Sequence, residues 1–217
     1  MRVVVLGRLG AGKTHTVHTL LRERFRTAQM PTTDQCTIHR KTVNGIDTVV
    51  LDTPGWTGQD PDLQAVITDC VGQGPHAFIL VLPVDRQTPQ EREVVQSVAR
   101  IFGEKMFNRT VLVFTFGDQL DDGAYIQDFV TSHAHLSDLA TKCGDRVFVI
   151  DNKYWNGPRD PAVNNTVQTL RIWETIEELH NLTDDDGHHT PNQVQPPRPP
   201  SSLFNRVWAF FSNDLNR

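Results

Sequence analysis

Short runs of apolar, β-branched residues alternate with stretches of helical periodicity along most of this chain. Residues 2–6, 36–43, 46–52, 77–83, 109–115 and 146–150 read as strands. Phe78-Ile79-Leu80-Val81-Leu82 and Val111-Leu112-Val113-Phe114 are apolar without interruption, the pattern of strands covered on both faces. Strands 36–43 and 46–52 meet at Asn44-Gly45, the dipeptide of a two-residue hairpin. One antiparallel hairpin joined to a mostly parallel α/β sheet is therefore expected. Thr88-Pro89-Gln90-Glu91 opens a helix with a capping box and proline at its first position. Val94, Val95, Val98, Ile101 and Phe102 form its buried stripe. A last helix is expected over 162–182, with Ile172, Trp173, Ile176 and Leu179 on one face.

The folded part is expected to span 1–182. Residues 183–202 are acidic and then proline-rich, a composition that buries no core and reads as a disordered linker. Residues 203–217 are expected to form an amphipathic helix. Leu203, Phe204, Val207, Trp208, Phe210, Phe211 and Leu215 share its apolar face. Three acceptors fit such a face: a membrane surface, a groove on the protein's own globular part, or a partner. The polar side has only Arg206 and Arg217 as basic residues, which favours a protein acceptor over a membrane.

Composition narrows the class. At 217 residues and 38% hydrophobic, the chain suits one domain with a tail. A formal charge of −5 implies no broad basic face for nucleic acid. Cys36, Cys70 and Cys143 are too scattered for a disulfide framework or a zinc site and read as reduced thiols. The apolar run at the N-terminus is too short for a signal peptide, and no stretch is long enough to span a bilayer. A cytoplasmic location follows, peripheral on an internal membrane if the tail docks there.

The strongest chemical signal is Gly7-Arg8-Leu9-Gly10-Ala11-Gly12-Lys13-Thr14, which has the form G-x-x-x-x-G-K-T. It follows a strand and precedes a helix, the context such a phosphate loop requires. The glycines let backbone N–H groups turn inward around phosphates, and the helix N-terminus adds partial positive charge. Lys13 is expected to reach the β- and γ-phosphates, and the Thr14 hydroxyl to ligate Mg2+.

Three further elements point to guanine nucleotides. Asp52-Thr53-Pro54-Gly55 ends a hairpin strand, where Asp52 can hold the magnesium shell and the Gly55 N–H can meet the γ-phosphate. Thr115-Phe116-Gly117-Asp118 ends the fifth strand; Asp118 there can accept from guanine N1–H and the 2-amino group, a donor pair adenine lacks. Thr33 lies where it can swing to the magnesium when a γ-phosphate is present. The fold expected is that of a P-loop NTPase, a Ras-like G domain with a mostly parallel six-stranded sheet flanked by helices.

The chain also resembles the GTPases of immunity-associated proteins, the GIMAP family. Gly74-Pro75-His76-Ala77-Phe78-Ile79-Leu80-Val81, continuing through Arg86-x-Thr88 and Gln90-Glu91, is similar to that family's conserved box. Thr33-x-x-Cys36 matches its switch pattern, Val113–Leu120 its base-reading motif, and Asn152-Lys153 its last motif, in which an asparagine lies beside the base. The chain departs from the family at Arg8-Leu9, at Val17-His18, at Trp56 and at Asp151, where a second asparagine is common. The resemblance implies binding of GTP or GDP with Mg2+ and pairing of two copies across the nucleotide face. Hydrolysis is less legible, since Trp56 directly follows Gly55 where Ras places a glutamine that orients water. Arg86, supplied across a dimer, is the alternative catalytic group, assisted by Thr33. Two readings stay open: a slow GTPase activated by dimerisation, and a GTP-gated scaffold with little turnover.

Overall fold

The apolar runs form the strands expected of them: β1 (Arg2–Gly7), β2 (Thr37–Val43), β3 (Ile46–Asp52), β4 (Ala77–Pro83), β5 (Thr110–Thr115) and β6 (Val147–Val149). The computed structural model describes residues 1–23, 36–56, 65, 74–84, 88–121, 124–153, 155 and 164–184. Thr33, Arg86, the linker beyond Asp184 and the segment 203–217 lie outside these residues. Among the described residues the helices are α1 (Lys13–Leu21), α2 (Pro89–Phe102), α3 (Ile126–Thr131), α4 (Ala134–Lys142) and α5 (Asn165–Asp184).

The strand order is β2-β3-β1-β4-β5-β6. Only β2 runs antiparallel, paired with β3 from Thr37↔Asp52 to Val43↔Ile46. Asn44 (φ 48°) and Gly45 (φ 83°) make the turn, both in the left-handed region that a two-residue hairpin needs. β1 pairs in parallel with β3 and β4, β4 with β5, and β5 with β6. This is the P-loop GTPase fold.

Strand alternation divides the core into two layers. Val4, Leu6, Leu80, Leu112 and Phe114 face the side covered by α2, α3 and α4, where Val94, Val98, Ile126 and Leu136 are buried with them. Val3, Val5, Ile79, Val81, Val111 and Val113 face α1 and α5, against Val17, Leu20, Ile172 and Ile176. Both β4 and β5 are buried along their whole length, as their unbroken apolar sequences require. Trp173 locks α5 to α1 by donating its ring N–H to the Leu20 carbonyl at 3.0 Å.

One helix start and one thiol differ from expectation. α5 starts at Asn165 rather than 162 because Asn164 caps it, its Oδ1 accepting from the Thr166 and Val167 N–H groups at 2.9 and 3.4 Å. Cys36 is disulfide-bonded, so the expectation of three reduced thiols fails there. Cys143 is a free thiol, and burial pushes its pKa up to about 12. Among the described residues, no helix is long and apolar enough to cross a membrane.

Candidate functional site

The C-terminal ends of β1, β3, β4, β5 and β6 converge on one edge of the sheet, the place where open α/β sheets hold ligands. From the end of β1 the chain turns through Gly10 (φ 80°) and Gly12 (φ 88°) into α1. A side chain at Gly12 would be strained by that φ and would press on Asn152 Nδ2 and Thr115 Cγ2, each 3.4 Å from its Cβ. Thr115 pins the loop from below, its hydroxyl donating to the Ala11 carbonyl at 2.8 Å. The first N–H groups of α1 have no acceptor within the helix and open onto this loop.

Three side chains meet at the loop's inner end. Lys13 is 6% exposed, and its ammonium donates to the Arg8 carbonyl at 3.1 Å. Burial lowers its pKa to about 8, against the opposing pull of Asp52. Thr14 Oγ1 donates to Asp52 Oδ2 at 2.6 Å. Asp52 is fully buried, and burial raises its pKa although the Thr14 hydrogen bond and the charge of Lys13 oppose the shift. Its Oδ1 has no hydrogen-bond partner. A buried carboxylate oxygen without a partner, beside a threonine hydroxyl, is a donor set for a hard cation, which prefers oxygen ligands.

The turn after β3 is bolted to the phosphate loop. The Leu9 N–H donates to the Trp56 carbonyl at 2.9 Å, and the Trp56 N–H donates to the Gly7 carbonyl at 3.2 Å. Thr53 anchors the turn from beneath through its hydroxyl, 2.7 Å from the Val5 carbonyl. Gly55 lies so close to Leu9 that a Cβ there would stand 2.6 Å from Leu9 Cα. Trp56 is buried in the α2 layer of the core, so the position after Gly55 offers no polar group to the site. Leu9 itself is exposed.

The far end of the site is built on β5 and β6. Phe116 adopts a left-handed conformation (φ 58°), which turns the chain sharply out of β5 and leaves its ring partly exposed. Gly117 follows beneath the buried Trp155, whose ring atoms would lie 2.4–2.8 Å from a Cβ. Asp118 is exposed, and the hydrogen bond it shares with Asp151 raises its pKa, reinforced by burial and by the charge of Asp151. Asp151 is buried and locked: its N–H donates to Asn165 Oδ1 at 3.0 Å, and its Oδ1 accepts from the Lys153 N–H at 2.9 Å. Asn152 Oδ1 accepts from the Thr19 hydroxyl at 2.8 Å. Phe116, Asp118 and Asn152 are thus gathered beside the phosphate loop.

Residues 1–195 match the family model described as the AIG1 family. The chain belongs to the AIG1 family. Relatives within it include the mouse protein "GTPase IMAP family member 8", 30% identical over 70% of this chain and 24% of its own length. "Immune-associated nucleotide-binding protein 13" of Arabidopsis thaliana is 26% identical over 82% of this chain and 56% of its own length. The chain therefore spans about a quarter to about half of these AIG1 relatives. Among solved structures, Toc33 from Arabidopsis thaliana in complex with GDP and Mg2+ shares the fold, with a TM-score of 0.66 and 20% identity over 84% of both chains. A second Toc33 structure has a TM-score of 0.64 and 19% identity over 83% of this chain and 82% of that one, and it is described as showing that dimerization is important for the GTPase activity of chloroplast translocon components.

Of the residues singled out from the sequence, those of the phosphate loop, Asp52, Gly55, Phe116, Asp118 and Asn152 lie together at this edge. Three residues with a hold on the site were missed. The sequence shows Glu91 as a capping residue within the family's conserved box, and in the structure it also pairs with Arg8 at 3.1 Å. In the sequence Asp151 stands out as a departure from the family pattern, with no sign of its contact with Asp118. Trp155 carried no signal, because its contact with Gly117 arises from the return of the chain after β6. The Asp118–Asp151 pair is accessible in principle, since two adjacent parallel strands are each followed within three residues by a carboxylate.

Proposed function

We propose that this chain binds GTP and GDP with Mg2+ at the phosphate loop, hydrolyses GTP slowly, and pairs with a second copy across its nucleotide face. The observation that carries the reading is the buried trio Lys13, Thr14 and Asp52. A buried ammonium held against its desolvation cost, next to a carboxylate oxygen without a partner, is completed by phosphates and a hard cation. Gly7, Arg8, Leu9, Gly10, Ala11 and Gly12 wrap the phosphates, and Lys13 neutralises them. Thr14, Asp52 and Thr33 hold the magnesium, which supplies charge stabilisation to the phosphate oxygens. The Gly55 N–H meets the γ-phosphate. Asp118 accepts from guanine N1–H and the 2-amino group, with Phe116 and Asn152 beside the base. The names of the relatives and the GDP and Mg2+ of Toc33 support the same ligand.

Arg86, delivered from the second copy, neutralises charge developing on the γ-phosphate. Leu9 in the phosphate loop and Phe116 after β5 are exposed apolar groups at this edge that favour a covered face. One observation favours a second reading, a GTP-gated scaffold that hardly turns over: Trp56 is buried and apolar where a water-orienting side chain is needed. Single-turnover hydrolysis at several protein concentrations separates the two. A rate per molecule that rises with concentration, and fails to rise in Arg86→Ala, supports the slow GTPase. A negligible rate at all concentrations supports the scaffold, and equal affinity for ATP and GTP by calorimetry overturns both.

A further inference from the structure

Glu91 is nearly fully buried, with 4% of its side chain exposed, yet only part of its bonding capacity serves its own helix. Oε2 accepts from the Thr88 N–H at 3.2 Å and from the Thr88 hydroxyl, closing the capping box of α2. Oε1 reaches out of the helix and accepts from Arg8 Nη1 at 3.1 Å. An N-terminal helix cap needs no arginine, and the pair joins residues 83 positions apart. The acceptor end of the link is α2. The donor end is a residue of the phosphate loop.

Arg8 is the knot of that loop. Its carbonyl accepts from the Lys13 ammonium at 3.1 Å and from the Ala11 N–H at 3.1 Å. Its backbone forms a parallel bridge with Trp56, in the turn that follows Asp52. On the other side, Thr88 is the N-cap of α2. One buried carboxylate therefore ties together the lysine's resting acceptor, the turn after β3 and the start of α2.

We propose that Glu91 is a positioning residue that couples the phosphate loop to the start of α2, so that occupancy of the loop is felt at that helix. The proposal rests on the guanine-nucleotide reading above for its functional consequence, but the coupling itself exists without ligand. The physical basis is the cost of leaving a buried charge unpaired. When the phosphate loop shifts and draws Arg8 away, the Glu91 carboxylate loses its counter-charge in a dry site and must reorganise with Thr88.

The test uses the full chain as wild type, Glu91→Gln, Arg8→Ala, the double variant and Thr88→Ala. Glu91→Gln keeps the side chain's shape and an acceptor for Thr88 but removes the charge that holds Arg8. Hydrogen exchange of nucleotide-free protein is the first readout. In Glu91→Gln and Arg8→Ala, exchange is expected to speed up together at the loop amides 10–14 and at the first turn of α2. Thr88→Ala is expected to speed exchange in α2 alone. The second readout is dissociation of a fluorescent GDP, expected to be roughly tenfold faster in each single variant and no faster in the double, since both remove the same link. Equal loosening of the loop by Thr88→Ala, or additive effects in the double variant, overturns the proposal and leaves Glu91 as an ordinary cap. Absence of GDP binding in the wild type sinks the guanine-nucleotide reading, while the exchange data still decide the coupling.

Discussion

Replacing Lys13 with methionine keeps the length of the side chain and removes its charge, and the two expected consequences have opposite sign. The ammonium is 6% exposed, and burial brings its pKa from 10.5 to about 8. At about 1.4 kcal/mol per pH unit, keeping that charge in the nucleotide-free fold costs about 3 kcal/mol at neutral pH. The hydrogen bond to the Arg8 carbonyl offsets about 1 kcal/mol of this. Asp52, already pushed toward its neutral form, takes up a proton rather than remain an unpaired buried charge. Lys13→Met is therefore expected to stabilise the nucleotide-free protein by about 2 kcal/mol, or roughly 4–8 °C in Tm for a folded unit of this size. The same change is expected to weaken GTP binding by about 3 kcal/mol, roughly 150-fold, because it removes a charge-assisted phosphate contact. Melting followed by circular dichroism and titration calorimetry with Mg-GTP measure the two effects. A pH series adds a signature. Between about pH 8 and 10.5 the unfolded chain still holds the Lys13 proton while the folded chain has released it, so the wild type gains stability as pH rises through that window. The methionine variant lacks this gain. A lower Tm than wild type, or an unchanged affinity for GTP, would refute the reasoning.

Gly55→Ala places a methyl group 2.6 Å from Leu9 Cα and is expected to cost about 1–3 kcal/mol of stability by thermal melting. It should also weaken GTP more than GDP in calorimetry, since the Gly55 N–H serves the γ-phosphate. Affinity for GDP is expected to fall as pH drops through the raised pKa of Asp118, because a protonated carboxyl no longer accepts from guanine N1–H. Asp151→Asn removes the neighbouring acid and should move that fall to lower pH; an unshifted profile in fluorescence titrations between about pH 4 and 7 counts against the base assignment. Asn164→Ala removes the cap of α5 and is expected to lower stability by about 1 kcal/mol in denaturant melts without changing nucleotide affinity. The tail is tested by liposome flotation of the intact chain against one ending at Ser202. Flotation that depends on the tail assigns it to a membrane, and a newly exposed dye-binding patch without flotation assigns it to the protein.

What the sequence disclosed and what it withheld divide along a physical line. Asn44-Gly45 announced the hairpin because a two-residue turn demands positive φ at both positions, a purely local constraint. The glycines and Lys13-Thr14 announced the phosphate loop for the same reason, since their spacing is dictated by backbone geometry over eight residues. The unbroken apolar runs of β4 and β5 reported two-sided burial directly. Asp52 could be placed beside Thr14 only because parallel pairing of β1 with β3 follows from the hairpin and the helical crossover. The contacts that stayed hidden are those in which one residue satisfies two demands at once. Glu91 obeys the capping-box pattern completely, so nothing in its local surroundings is left over to signal Arg8. Asp151 lies two residues past β6 with its backbone bonded to Asn165, and its carboxylate meets Asp118 only because β5 and β6 are neighbours. A pattern of spacings records what each segment needs for itself. The couplings between loops at the sheet edge are made by side chains whose local needs are already met, and three-dimensional contact is what reveals them.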